Sequence, residues 1–218
     1  MLVKICGLRE VVNIEEISQI KPDFMGFIFY EKSPRYASDT LSEKQIRTLP
    51  QEIIPTGVFV NETEQNIALQ VKRFGLRAVQ LHGEESAEFC RNLRTVLGSD
   101  FWILKAFGIR KDFDFKILKN YEPWVQYFLF DTKTEAHGGS GQSFDWDILK
   151  MYKGNTPYFL SGGIGLEEIL ELKKEIKTMP HFKNLIGLDL NSKLEDSPGN
   201  KNFLKVKEAI HKTRNINL

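Results

Sequence analysis

The stretch PYFLSGGIG (157–165), running into LEEILELKKEIK (166–177), holds one complete structural unit. Tyr158, Phe159 and Leu160 form a short β-favouring run, Gly162 and Gly163 break it, and apolar residues then recur at helical spacing among glutamates and lysines. The pattern predicts a strand, a glycine turn and an amphipathic helix. Glycine permits positive φ and lets backbone N–H groups approach an anion, and the N-terminus of a following helix adds partial positive charge. One unit upstream, Gly138-Gly139-Ser140-Gly141 follows the apolar run that ends at Asp131. The two loops together read as a phosphate clamp built from Gly139, Ser140, Gly141, Gly162 and Gly163.

The same unit recurs along the chain. Eight apolar runs stand out: LVKIC (2–6), DFMGFIFY (23–30), PTGVFV (55–60), RAVQL (77–81), FWILKAF (101–107), YFLFD (127–131), PYFLS (157–161) and NLIGLDL (184–190). Between and after them, helical patterning covers 11–19, 42–49, 64–74, 85–97, 111–118, 146–152, 166–177 and 200–212. Strands joined by helical crossovers form parallel sheets, and near-continuous apolar strands mean that both faces are covered. Eight repeats predict a (β/α)8 TIM barrel. The competing doubly wound sheet lacks its G-x-G-x-x-G after the first strand. Residues 177–184, with Pro180 and His181, are expected to make a longer connection at the bottom of the barrel.

The chain has 218 residues, 41% hydrophobic and 27% charged, with a formal net charge of +1. That length suits one α/β barrel, so 1–218 is expected to be a single catalytic domain. No broad basic field suggests nucleic acid, and no apolar run is long enough to span a bilayer. The N-terminal MLVKICGL lacks the apolar core of a secretion signal, and Cys6 and Cys90 are too few for a disulfide framework, so the expected location is cytoplasmic.

Barrel active sites lie at the C-terminal ends of the strands. Cys6 ends the first, close to Lys4, where a partly exposed thiol of lowered pKa would be basic or nucleophilic; the alternative is simple packing. Asp131 follows four apolar or aromatic residues, surroundings in which a carboxyl tends to keep its proton and serve as a general acid. Capping the next segment is the plainer role. Arg35, after the second strand and stiffened by Pro34, suits bidentate binding of a carboxylate. His82 fits a base, a substrate contact or a metal ligand, but the remaining histidines complete no ligand spacing, so no metal is expected. After the last strand, Asn191, Ser192 and Lys193 are placed to finish the anion site. Asp189 is better suited to ordering the loop or binding a substrate hydroxyl, and Lys4 joins Arg35, His82 and Asp189 as an expected substrate contact.

Taken in order, KICGL (4–8), GFIFYEKSPRY (26–36), GVFVNE (57–62), VQLHGEE (79–85), LKAF (104–107), FDTK (130–133), GGSGQSFDW (138–146), LSGGI (160–164) and DLNSKLEDSPGNK (189–201) resemble the phosphoribosylanthranilate isomerases of tryptophan biosynthesis. The resemblance covers nearly the whole chain. It implies a cofactor-free (β/α)8 barrel acting on N-(5-phosphoribosyl)anthranilate to form 1-(2-carboxyphenylamino)-1-deoxyribulose 5-phosphate by an Amadori rearrangement. It further implies Cys6 as general base, Asp131 as general acid and Arg35 as the holder of the anthranilate carboxylate. Two departures stand out: Ser192-Lys193 where many members have Ser-Gly, and Asn200 or Asn202 where an acidic residue is usual, the latter bearing on helix capping. The expected partner is a small anionic phosphosugar, with no nucleic acid or membrane, and the chain is expected to be a monomer or weak homodimer. The competing readings are a noncatalytic phosphosugar-binding barrel and another phosphosugar isomerase or epimerase.

Overall fold

The computed structural model describes residues 1–131, 146–176 and 182–216. Eight parallel strands close into a barrel in chain order: β1 (Leu2–Cys6), β2 (Phe24–Ile28), β3 (Ile54–Phe59), β4 (Ala78–Leu81), β5 (Trp102–Gly108), β6 (Tyr127–Asp131), β7 (Tyr158–Ser161) and β8 (Leu185–Leu190). Closure comes from β8 pairing with β1, with Lys4 opposite Asp189. This is the barrel expected from the repeat.

Successive side chains on a strand point to opposite faces, and here they sort into two separate cores. Phe24, Ala78, Leu104, Ala106, Leu129 and Phe159 fill the barrel interior, with Leu2, Ile54, Trp102 and Tyr127 packed against them. Their intervening neighbours, such as Val3, Ile5, Met25, Phe27, Ile103, Phe128 and Phe130, pack outward under the helices. Inside, Phe24 meets the Phe159 ring edge-on at 5.3 Å. The lower barrel is a plug of side chains, so any ligand is confined to the upper rim.

The helices are α1 (Val11–Gln19), α2 (Glu43–Arg47), α3 (Glu64–Phe74), α4 (Ala87–Leu97), α5 (Leu166–Ile176) and α6 (Phe203–Arg214). Ser42, Thr63, Ser86 and Asn202 cap four of them by accepting a backbone N–H three residues on. Asn202 thus caps α6 as its departure from the family pattern suggested.

Three helical expectations change. Only a 3₁₀ turn, Phe115–Asn120, occupies the predicted helix 111–118. Phe113 and Phe115, two residues apart, pack edge-on at 5.0 Å and reach Phe107 and Phe130 respectively, a spacing that one α-helical face cannot provide. The segment Trp146–Met151 is likewise 3₁₀. Asn200 and Lys201 do not begin the last helix; they form β10, which pairs antiparallel with β9 (Glu195–Ser197) around Pro198 and Gly199. Gly199 has φ +88°, and a Cβ there would stand 2.4 Å from Arg9, so this turn requires glycine.

Candidate active site

The C-terminal mouth of the barrel opens into a cavity of about 480 Å³. Its wall follows from strand parity: the inward series reaches the rim as Cys6 on β1, Ile28 on β2, Val58 on β3, Gln80 on β4, Asp131 on β6, Ser161 on β7 and Asp189 on β8. Arg35, His82, Gly162, Gly163, Asn191 and Ser192 complete much of the lining from the loops. Every expected site residue within the described segments lies in or beside this cavity except Lys193; Gly139, Ser140 and Gly141 lie outside the described residues.

Cys6 is paired in register with Gly26 of β2. A Cβ at position 26 would stand 2.8 Å from Cys6 Sγ and 3.2 Å from Lys4 Nζ, so this glycine makes room for both groups. Lys4 is wholly buried, and its Nζ donates to Asp189 Oδ1 at 2.8 Å. Lys4 therefore sits beneath the cavity floor, with Cys6 and Asp189 above it, and is a support for them in this structure. Cys6 is only 4% exposed, not partly open as expected. Burial pushes its thiol up, Lys4 pulls it down, Asp189 pushes it up again, and the net lies above the ordinary thiol value. The expected lowering is thus reversed. Burial opposes the charge on Lys4, but Asp189 and Cys6 outweigh it, and the ammonium is held above its usual range.

Arg35 is fixed by a carboxylate that the sequence reading overlooked. Its Nε donates to Glu195 Oε1 at 2.9 Å and its Nη2 to Glu195 Oε2 at 2.6 Å. Glu195 also accepts from Gly199 N at 3.1 Å and from buried Lys201 Nζ. Burial raises the Glu195 carboxyl, but Arg35 and Lys201 outweigh this and hold it below its usual value. Gly7, with φ +79°, threads between these loops: a Cβ there would stand 2.7 Å from both Arg35 Cδ and Asn191 Oδ1.

The opposite side is sparser. Gln80 Nε2 lies 2.7 Å from His82 Nδ1. With the amide donating, Nδ1 accepts and the proton resides on Nε2, which faces Asp131 Oδ2 at 3.5 Å. Asp131 Oδ1 is buried with no hydrogen-bond partner among the described residues. The loop after His82 is held from behind: Lys105 Nζ donates to Gly83 O at 2.7 Å and pairs with Glu85 Oε2 at 3.1 Å, while Glu85 accepts from Asn61 N and Gly83 N. A lysine–glutamate pair therefore exists near the strand tips, but it lies outside the cavity lining.

After β7, Gly162 and Gly163 have φ +106° and +67°, and α5 starts three residues later. Facing them, Asn191 and Ser192 lead into a 3₁₀ turn, Ser192–Leu194. Lys193 turns away: its side chain is 56% exposed and its Nζ is 3.7 Å from Glu168 Oε1 on α5. Among the described residues, no group of three or more His, Cys, Asp and Glu is placed to hold a metal ion, and no helix is long and apolar enough to cross a membrane.

Gly7, Gly26, Gln80, Glu195 and Lys201 are the residues that sequence reasoning missed. Gly26 alone carried a signal, a glycine inside an apolar strand.

A closed (β/α)8 barrel that gathers a thiol, a carboxyl group, a guanidinium and a positive-φ glycine turn at one mouth has the architecture of a phosphosugar-handling barrel enzyme. The comparisons narrow this class. Residues 3–212 match the family model described as N-(5'-phosphoribosyl)anthranilate isomerase. The isomerase of that name from Phocaeicola vulgatus is 40% identical over 97% of this chain and 95% of its own length. The phosphoribosyl anthranilate isomerase crystal structure from Thermotoga maritima is 32% identical, with a TM-score of 0.80, covering 98% of this chain and 99% of its own. Another isomerase structure, in complex with reduced 1-(o-carboxyphenylamino)-1-deoxyribulose 5-phosphate, is 27% identical with a TM-score of 0.75, covering 98% of both chains. This chain belongs to the phosphoribosylanthranilate isomerase family.

Proposed function

We propose that this chain performs its family's reaction, the isomerisation of N-(5-phosphoribosyl)anthranilate in tryptophan biosynthesis, with Cys6 as general base and Asp131 as general acid. The observation that carries these roles is that both groups end inward-facing strand positions on one cavity, with cationic Arg35 on one side and the Gly162-Gly163 turn on another. Asp131 must hold a proton when substrate arrives. It gives that proton to the ribose ring oxygen as the C1–O bond breaks, which leaves a protonated Schiff base between C1 and the anthranilate nitrogen. Cys6 then removes the proton from C2, the electron pair flows toward the imine, and the enolamine tautomerises to the C2 ketone. The rearrangement is internal, so no external oxidant or reductant enters the balance.

Because burial holds the Cys6 thiol above its ordinary value, the thiolate needs the ammonium of Lys4 beside it. Lys4 keeps its proton for this purpose through Asp189. Arg35 and the anion site act at the two ends of the substrate, so that binding energy remote from the reacting atoms aligns the ribose between acid and base. Gly162, Gly163, Asn191 and Ser192 bind the phosphate; Lys193 lies outside this set in the reading we favour.

The test is loss of anthranilate-type fluorescence when purified protein meets freshly generated phosphoribosylanthranilate. Rapid loss with the native chain, and only spontaneous decay with Cys6→Ala, is expected. Binding of product without turnover by the native chain would instead support a noncatalytic barrel.

A further inference from the structure

We infer that Glu195 is a positioning residue for substrate recognition: it holds Arg35 by one edge of the guanidinium and presents the other edge to the carboxylate of the substrate. The inference rests on the reading of Arg35 given above. A guanidinium offers two edges for paired hydrogen bonds. Glu195 takes the edge formed by Nε and Nη2, at 2.9 and 2.6 Å, so the Nη1 edge is the part left for a ligand. Arg35 lines the cavity with its side chain only 19% exposed, so its orientation is set by its partners more than by water.

The clamp is itself held. Glu195 is 5% exposed at its side chain and sits between Arg35, the Gly199 amide and Lys201, whose ammonium is fully buried. Lys201 Nζ also donates to Asn191 Oδ1 at 2.7 Å, and Asn191 lines the cavity. One carboxylate therefore ties the carboxylate-reading arginine to the loop that carries the anion site. The tie runs through the β9–β10 turn, which has no counterpart in a bare βα repeat. A single rotamer of Arg35 is stabilised before ligand arrives, so less ordering is required on binding.

Two equilibrium ligands separate this role from a general loosening of the loop: a reduced o-carboxyphenylamino deoxyribulose phosphate, and the same molecule without the carboxyl group. For Glu195→Gln, the carboxylated ligand is expected to weaken about tenfold and the other by less than about twofold. Removing Glu195 leaves Lys201 buried without its anion, so Lys201→Met and the double variant are measured as well. Lys201→Met should retain the preference for the carboxylated ligand, and the double variant should lose it. Equal weakening of both ligands in Glu195→Gln and in the double variant, or no change in either, overturns the proposal. Native protein that binds the two ligands equally refutes the reading of Arg35 itself, and the proposal with it.

Discussion

On the side of the cavity formed by β1, β2 and β8, the charged groups are paired: Lys4 with Asp189, Arg35 with Glu195, and Glu195 with Lys201. On the side formed by β4 and β6, Gln80 touches His82, His82 stands 3.5 Å from Asp131, and one Asp131 oxygen has no hydrogen-bond partner among the described residues. The difference fits the two tasks proposed for Cys6 and Asp131. A buried thiolate needs a fixed cation and a fixed cavity around it, because burial alone opposes its charge. An acid that must hand its proton to a ligand needs an oxygen that the protein leaves unoccupied. On the proposed assignment, the first side is prepared by the protein, and the second is left for the substrate to complete.

The largest effects should come from removing either side's reacting group. Cys6→Ala and Asp131→Asn are each expected to lower turnover by about 10²–10⁴-fold, the usual worth of a positioned acid or base, with an unchanged circular dichroism spectrum. Near-native rates in a folded variant would remove that residue from the mechanism.

Gly26→Ala probes the prepared side without removing a reacting group. The added Cβ would press on Cys6 Sγ and Lys4 Nζ. Turnover should fall at least about tenfold with a stability loss of about 1–3 kcal/mol, the usual cost of overpacking. Native turnover in a thermally destabilised variant would show that the thiol tolerates displacement.

Alkylation against pH measures how far the thiolate depends on its surroundings. The free protein's Cys6 thiol lies above its ordinary value, so it should react with iodoacetamide more slowly than free cysteine at neutral pH and accelerate as pH rises beyond about 9. Lys4→Met should slow it further, since Lys4 pulls the thiol down. Cys90, which burial pushes up to about 12, provides the inert control within the same chain. A Cys6 that outpaces free cysteine at neutral pH would contradict the direction.

The smallest effect is expected at Lys193. Since its side chain turns to Glu168, Lys193→Ala should change affinity for inorganic phosphate by less than about twofold. A larger loss, measured by calorimetry, would bring the lysine back to the anion site.

The barrel was legible in the sequence because its signal is local and repeated: apolar runs, glycine turns and helical spacing each leave a pattern in a short window. Cys6, Asp131, His82 and Asp189 were legible for the same reason, since each ends or follows such a run. Glu195 and Lys201 were not. Their partners, Arg35 and Asn191, are brought to them by closure of the barrel and by a turn at Gly199, and Glu195 lies 160 positions along the chain from Arg35. The outward turn of Lys193 and the raised Cys6 thiol have a common origin. Sequence shows that a lysine or a thiol is near a strand end, but not whether its side chain is turned to Glu168 or sealed under Gly26.

The division of labour between the two sides is tested most directly by the rate of turnover with substrate deuterated at sugar C2. If Cys6 removes that proton, Cys6→Ser should make the removal rate-limiting and turn over deuterated substrate several-fold more slowly than unlabelled substrate. Asp131→Asn, stalled earlier at ring opening, should turn over both at the same rate. An isotope effect in Asp131→Asn and none in Cys6→Ser would exchange the two roles and contradict the account.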